Sequence, residues 1–156
     1  MKTLKTYVVA ILIPLAVGAL AAFLTRGNMM LYDQIVKPPL APPPILFPIV
    51  WTLLYILMGI SSARVYLKKQ SMSQEVSSAL TVYALQLGFN FFWSLIFFNL
   101  RAFFFAFWWI LILWVLIIIM ILKFRKIDGI AATINIPYLL WVTFAAYLNL
   151  AIYILN

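Results

Sequence analysis

The sequence predicts an all-α integral membrane protein, a five-transmembrane-helix bundle with its N-terminus inside and its C-terminus outside, forming a single domain over residues 1–156. Three observations carry that prediction. Of the residues, 67% are hydrophobic and 9% charged, against about 25% charged in a soluble domain, so the chain cannot cover a water-facing surface. The apolar residues fall into five runs, each near the ~20 residues that a helix needs to cross the hydrocarbon core. The eleven Lys and Arg residues are shared unequally between alternate loops.

The first run, 6–25, follows Lys2 and Lys5. It is longer than the roughly 7–15 apolar residues of a secretory leader, so a retained helix is expected despite the small residues Ala19 and Ala21. The longest connection follows, 26–44. Its end and the start of the next run read KPPLAPPPILFPIVW (37–51), which holds six of the chain's eight prolines. Proline lacks an amide donor and pushes the residue before it toward extended backbone. Pro42, Pro43 and Pro44 can therefore form a stiff polyproline II turn, and Pro48 falls where a missing helix donor costs little. Such a loop is either a lid over the bundle or a spacer. The second run is 45–67 and the third 77–100. The third and the fourth, 103–122, are separated by little more than Arg101 and Ala102, as in a tight helical hairpin. The fifth run is 130–155.

Lys2, Lys5, Arg64, Lys68, Lys69, Lys123, Arg125 and Lys126 fall on one side, and Arg26, Lys37 and Arg101 on the other. The richer side is cytoplasmic by the positive-inside rule. The net charge of +8 therefore reports loop placement and implies no nucleic-acid partner. The expected location is a bacterial cell membrane, crossed several times.

Composition also excludes chemistry. Histidine and cysteine are absent, which removes the usual general base, thiolate chemistry and the commonest metal ligands; no metal site is expected. Asp33, Glu75 and Asp128 all lie outside the runs. Ion-coupled transporters keep ionisable groups within the membrane, and many are built from internal repeats, of which the sequence has none. A transport role is disfavoured.

Polar and aromatic residues inside the runs share faces. Gln86, Asn90, Trp93 and Phe97 follow one another at spacings of four, three and four, which places them within about 60° on one helix. Ala84, Gly88, Phe91 and Leu95 cluster on the opposite side. Ala84-x-x-x-Gly88 is a small-xxx-small pattern that permits close helix approach; it suits a homodimer contact through the third helix, or packing within the bundle. The second run offers Pro48, Trp51, Tyr55 and Ser62, and the fifth Tyr138, Trp141, Ala145 and Asn149. Trp51, Trp93, Trp141 and Asn149 all fall in the outer half, under the Pro-rich loop. That composition suits an aromatic small-molecule pocket with sparse hydrogen-bonding groups. The alternatives are the interfacial aromatic belt, expected for Trp108 and Trp109, and interhelical hydrogen bonds.

These stretches resemble the TspO/MBR family, which includes the tryptophan-rich sensory proteins and the mitochondrial translocator (peripheral-type benzodiazepine receptor) proteins. The matching segments are KPPLAPPP and FPIVWTLLYILMG within 37–59, ALQLGFNFFWSLIFF (84–98) and PYLLWVTFAAYLN (137–149). The resemblance implies a five-helix bundle, commonly a homodimer, with an outer pocket capped by the first loop. It implies binding of tetrapyrroles such as protoporphyrin IX, of sterols, and of isoquinoline carboxamides and benzodiazepines. Carried to this chain, the pocket positions are Tyr32, Pro42, Pro43, Trp51, Asn90, Trp93, Trp141, Ala145 and Asn149. Porphyrin is then ligand or substrate, with no covalently bound cofactor.

The function expected is a receptor-like protein for porphyrins and other planar hydrophobic molecules. The alternative is light-dependent porphyrin degradation, with Trp51 and Trp141 exchanging electrons with the ring. Two departures stand out. The family's loop usually carries Trp where this chain has Leu40. The C-terminal sterol motif needs Lys or Arg after a Tyr, and Tyr153 is followed by Ile154, Leu155 and Asn156.

Overall fold

The computed structural model describes residues 2–156. Five helical segments are long and apolar enough to cross a membrane, and no strand occurs among the described residues. Helix α1 is Lys2–Thr25, α2 is the short Leu31–Gln34, α3 is Leu46–Tyr66, and α4 is Ser73–Ser94. Helix α4 runs on as a π-helical turn, Leu95–Asn99; α5 is Phe103–Ile127, α6 is Gly129–Ile134 and α7 is Ile136–Leu155. Spans one to five are thus α1, α3, α4 with its π turn, α5, and α6 with α7.

The expected boundaries were set by hydropathy, and the helices depart from them where a helix outlasts its apolar run. Helix α1 begins before residue 6 and α4 before residue 77, while α5 continues past residue 122 through Lys123, Arg125 and Lys126. Charged residues end a membrane run but are good helix formers. The fifth run is not one helix. Pro137 supplies no amide to the preceding turn, and the chain bends at Asn135 between α6 and α7. The Asn135 amide group, at the bend, ties it to α3, donating to Ser61 Oγ at 2.8 Å as well as to the Ala131 carbonyl of α6 at 3.0 Å.

The spans close into a ring: α1 packs on α3, α3 on α6, α6 and α7 on α5, α5 on α4, and α4 on α1. Since lipid is as apolar as leucine, packing and hydrogen bonds hold the ring. Two glycines set the contact between α1 and α3. Pro14 leaves the Ala10 carbonyl without its intrahelical amide, and Gly59 lies against that carbonyl and the Ile11 backbone. One turn outward, Gly18 lies against the Tyr55 ring.

The half of the bundle away from the connection 26–44 is filled by Met58, Val65, Ile117, Met120 and Phe124, all fully buried. At that end Arg64 pairs with Asp128 at 2.9 Å. Asp128 also caps α6, accepting from the amides of Ile130 and Ala131. Burial acts to raise the Asp128 carboxyl, but the hydrogen bonds from Arg64, Ala131 and Ile130 prevail and hold it below its usual value.

Trp108 is exposed on the bundle surface, as expected for the aromatic belt. Trp109 packs against a neighbouring helix. It stacks on Phe89 with centroids 4.3 Å apart and donates to the Phe89 carbonyl at 2.8 Å, joining α5 to α4.

Candidate functional site

The half of the ring beneath the connection 26–44 is hollow. A cavity of about 580 Å³ lies between that connection and the adjoining parts of α1, α3, α4 and α7. Helix α3 presents Phe47, Trp51 and Tyr55 to it at four-residue spacing, which is one helix face. Helix α7 presents Trp141, Ala145 and Asn149 in the same register, with Leu148 and Ile152 beside them. Trp93 and Phe97 come from α4 and its π turn, their rings stacked at 5.1 Å. The extra residue of a π turn shifts the side chains after it around the axis, and here both Phe97 and Phe98 join the wall.

The aromatic rings support one another. Trp51 stacks on Tyr55 at 5.6 Å with 28° between planes, and Tyr138 meets Trp51 edge-on at 6.3 Å. Phe47 stands edge-on to Tyr32 at 5.2 Å and to Trp141 at 5.9 Å.

Most polar atoms of the wall are already paired. Trp93 Nε1 donates to Asn149 Oδ1 at 3.0 Å, and Asn149 Nδ2 donates to the Phe103 carbonyl at 2.8 Å. The Tyr55 hydroxyl donates to Asn90 Oδ1 at 3.0 Å, Asn90 Nδ2 to the Tyr138 hydroxyl at 2.8 Å, and that hydroxyl to Gln86 Oε1 at 2.6 Å. The Thr25 and Thr52 hydroxyls are spent on carbonyls of their own helices. What faces the interior is therefore a set of aromatic planes with few free donors and no ionised group. The Trp141 indole N–H is buried without an acceptor.

The connection 26–44 folds over the mouth of the cavity, with Met29, Tyr32 and Pro44 completing the wall. It is fastened at several points. The Tyr32 hydroxyl donates to the Pro42 carbonyl at 2.7 Å, and the Tyr147 hydroxyl of α7 donates to the Pro39 carbonyl at 2.9 Å. Asn156 accepts from the Val36 amide and donates to the Val36 carbonyl. Burial, with Asp33 beside it, raises the Tyr32 phenol, so it remains a neutral donor. Leu40 has a left-handed φ of 72° in the turn that Ala41 closes on the Pro38 carbonyl. A type II turn favours Gly or Asn there.

Of the residues expected at the pocket, Tyr32, Trp51, Trp93, Trp141, Ala145 and Asn149 line the cavity. Pro42, Asn90 and Tyr138 stand behind the wall and brace Tyr32 and Tyr55 through hydrogen bonds. Pro43 is exposed in the loop. Ala84 and Gly88 are turned away from the bundle, with nothing within 4 Å of a methyl placed on Gly88.

The pocket was expected from the second, third and fifth spans alone, but α1 supplies a wall as well, through Gly18, Ala19, Ala21, Ala22 and Thr25. The run of small residues was the available sign. Helix α1 is apolar all round, so no face stood out. No group of His, Cys, Asp and Glu able to hold a metal occurs among the described residues.

A model of the TspO/MBR family matches residues 10–155. The tryptophan-rich protein TspO of Chlorobaculum tepidum is 37% identical over 156 residues, covering 99% of this chain and 98% of that protein. Protein CrtK of Rhodobacter capsulatus is 35% identical over 140 residues, covering 89% and 85%. The translocator protein of Ovis aries is 32% identical over 139 residues, covering 88% and 82%.

Proposed function

The chain belongs to the TspO/MBR family, and on that premise we propose that it is a receptor-like membrane protein that binds porphyrins, protoporphyrin IX above all, and other planar hydrophobic molecules such as isoquinoline carboxamides in its outer cavity. The observation that carries this reading is the wall itself. Flat rings from Tyr32, Phe47, Trp51, Trp93, Phe97 and Trp141 enclose a space without a charged lining residue. Such a space favours a flat, apolar guest held by stacking and dispersion. The test is to titrate purified protein with protoporphyrin IX and follow ultraviolet-visible spectra in darkness and in light. Saturable perturbation of the porphyrin band in darkness is expected. An unperturbed band rejects the proposal.

A second reading is supported by the placement of Trp51 and Trp141 on the cavity wall: light-driven porphyrin degradation. Excited porphyrin would take one electron from an indole, and dioxygen would add to the reduced ring. The oxygenated ring would return the electron to the indole radical cation, so that dioxygen is the net oxidant and the Trp is regenerated. No His or Cys is present to donate instead. A Trp51→Phe/Trp141→Phe protein retains aromatic planes for stacking, so its porphyrin affinity should stay within about threefold of the parent, while light-driven loss of the porphyrin band slows by about tenfold or more. Equal losses in both would make the two residues walls only. Undiminished turnover would remove Trp51 and Trp141 as the donors and leave Trp93, Tyr32 and Tyr55 on the same wall, or the bound porphyrin alone, as the source of the photochemistry.

We further propose a homodimer through the outward face at Ala84 and Gly88, and an orientation with the cavity on the outer side of a cell membrane.

A further inference from the structure

On the lipid-facing side, α3 and α7 leave between them a second recess, of about 550 Å³. Its lining is apolar throughout and includes Leu53 and Leu140, which are 57% and 65% exposed. One side chain lines both this groove and the outer cavity, and it is Trp141.

We propose that hydrophobic ligands pass between the bilayer and the outer cavity through this groove, with Trp141 as the movable wall between them. The proposal rests on reading the cavity as a site for planar hydrophobic molecules. Three further features carry it. First, the indoles of Trp93, Trp109 and Trp114 are each tied by a hydrogen bond of 2.8–3.0 Å, whereas the Trp141 N–H is buried and has no acceptor. Turning the Trp141 ring therefore breaks no hydrogen bond, and a passing molecule with a carbonyl or carboxylate would give that donor a partner. Second, the aromatic rings beside it, Phe47 and Phe144, stand edge-on and tilted at 5.9 and 5.7 Å, neither stacked flat on the indole. Third, the residue one turn further along α7 is Ala145, too small to block the cavity side.

The groove is a passage rather than a strong binding site. Lipid chains are as apolar as the leucines that line it, so leaving the bilayer for the groove brings no net hydrophobic gain. Filling the groove should change rates and leave equilibrium affinity alone.

The experiment places the full chain in phosphatidylcholine vesicles and follows protoporphyrin IX fluorescence in stopped flow, for association and for release to excess acceptor vesicles. Leu53→Trp and Leu140→Trp fill the groove. Leu85→Trp, at an exposed position of α4, is the control. The proposal expects each groove variant to slow association and release together by about tenfold, a barrier raised by about 1.4 kcal/mol, with Kd within about twofold and the control at parental rates. Trp141→Ala should speed both steps. Parental rates in both groove variants overturn the proposal and leave the exposed rim between α1 and α3, at Ala19, Ala22, Pro48 and Thr52, as the route. A change in Kd carried by release alone overturns it too, because Leu53 and Leu140 would then be parts of the bound site.

If the parent fails to bind protoporphyrin IX, the functional reading above falls, and a second measurement still decides the passage. In vesicles of phosphatidylcholine brominated on its acyl chains, the emission that disappears in Trp141→Phe should be quenched, and Leu140→Phe, which fills the groove without adding an indole, should lessen that quenching. An unquenched Trp141 component overturns the proposal.

Discussion

A methyl group added at Gly59 would meet the Ile11 backbone and the Ala10 carbonyl, whereas one added at Gly88 would meet nothing. The two glycines therefore make opposite predictions for the same substitution. Gly59→Ala forces two backbones apart and should destabilise the fold by about 1–3 kcal/mol, the range for overpacking. Gly88→Ala removes only a helix penalty and should be neutral or stabilising by up to about 1 kcal/mol. Denaturant unfolding in detergent, at a dilution that separates copies, measures both. Asp128 supplies the pH dependence at this scale. Its folded carboxyl lies below the unfolded value of 3.8, so its stabilisation is present above that value and is lost as pH falls through the folded one. Asp128→Asn keeps a capping oxygen but loses the charge facing Arg64. The variant should start less stable at neutral pH and lose less on acidification. An unchanged acid limb would mean that the pair contributes nothing to folding.

Helix α4 has the most distinct work on its two sides. Its inward face buries Gln86 and Asn90, at 0% and 4% exposure, while Ala84 is exposed on the other. Replacing Ala84 and Gly88 together with Leu should split a dimer in detergent and leave porphyrin affinity within about twofold, since no hydrogen bond of the cavity wall runs through that face. An unchanged dimer on size-exclusion chromatography would move the interface elsewhere. The division of α4 was legible because four polar and aromatic residues repeat at helical spacing. Its end was not. The π turn Leu95–Asn99 has no residue signature, and it forms where Leu100 N bonds Leu95 O and Ala102 N bonds Ile96 O before the reversal at Arg101, whose φ is 51°. The bend at Asn135 is similar: Pro137 was visible, but the bond that ties the bend to α3 goes to Ser61, far away in sequence. The spans themselves were legible because lipid imposes a length on every apolar run. The α1 wall was hidden because a helix that is apolar all round shows no direction.

At the scale of the whole molecule the two ends differ. One carries the fastened connection 26–44 and the cavity mouth, and the other the Arg64–Asp128 pair and the loops rich in Lys and Arg. Eight of the eleven basic residues lie on the second side, and basic loops resist translocation, so the cavity end is predicted to face away from the cytoplasm. The chain contains no cysteine, which makes single-cysteine labelling unambiguous. Leu40→Cys sits at an 81% exposed loop position of the cavity end, and Ser71→Cys sits in the exposed connection between α3 and α4 at the other. A membrane-impermeant maleimide applied to intact spheroplasts should label Leu40→Cys, and should reach Ser71→Cys only after permeabilisation. The reverse pattern would turn the bundle over and give the cavity a cytoplasmic mouth. Equal labelling of both would mean that the charge difference does not fix one orientation. Leu40 also reads the loop directly: its left-handed turn holds it beside Pro39, which Tyr147 of α7 anchors. A ligand that needs the loop closed should slow labelling at Leu40→Cys without altering it at Ser71→Cys. Protection at both positions would indicate a change across the whole bundle instead of closure at the cavity end.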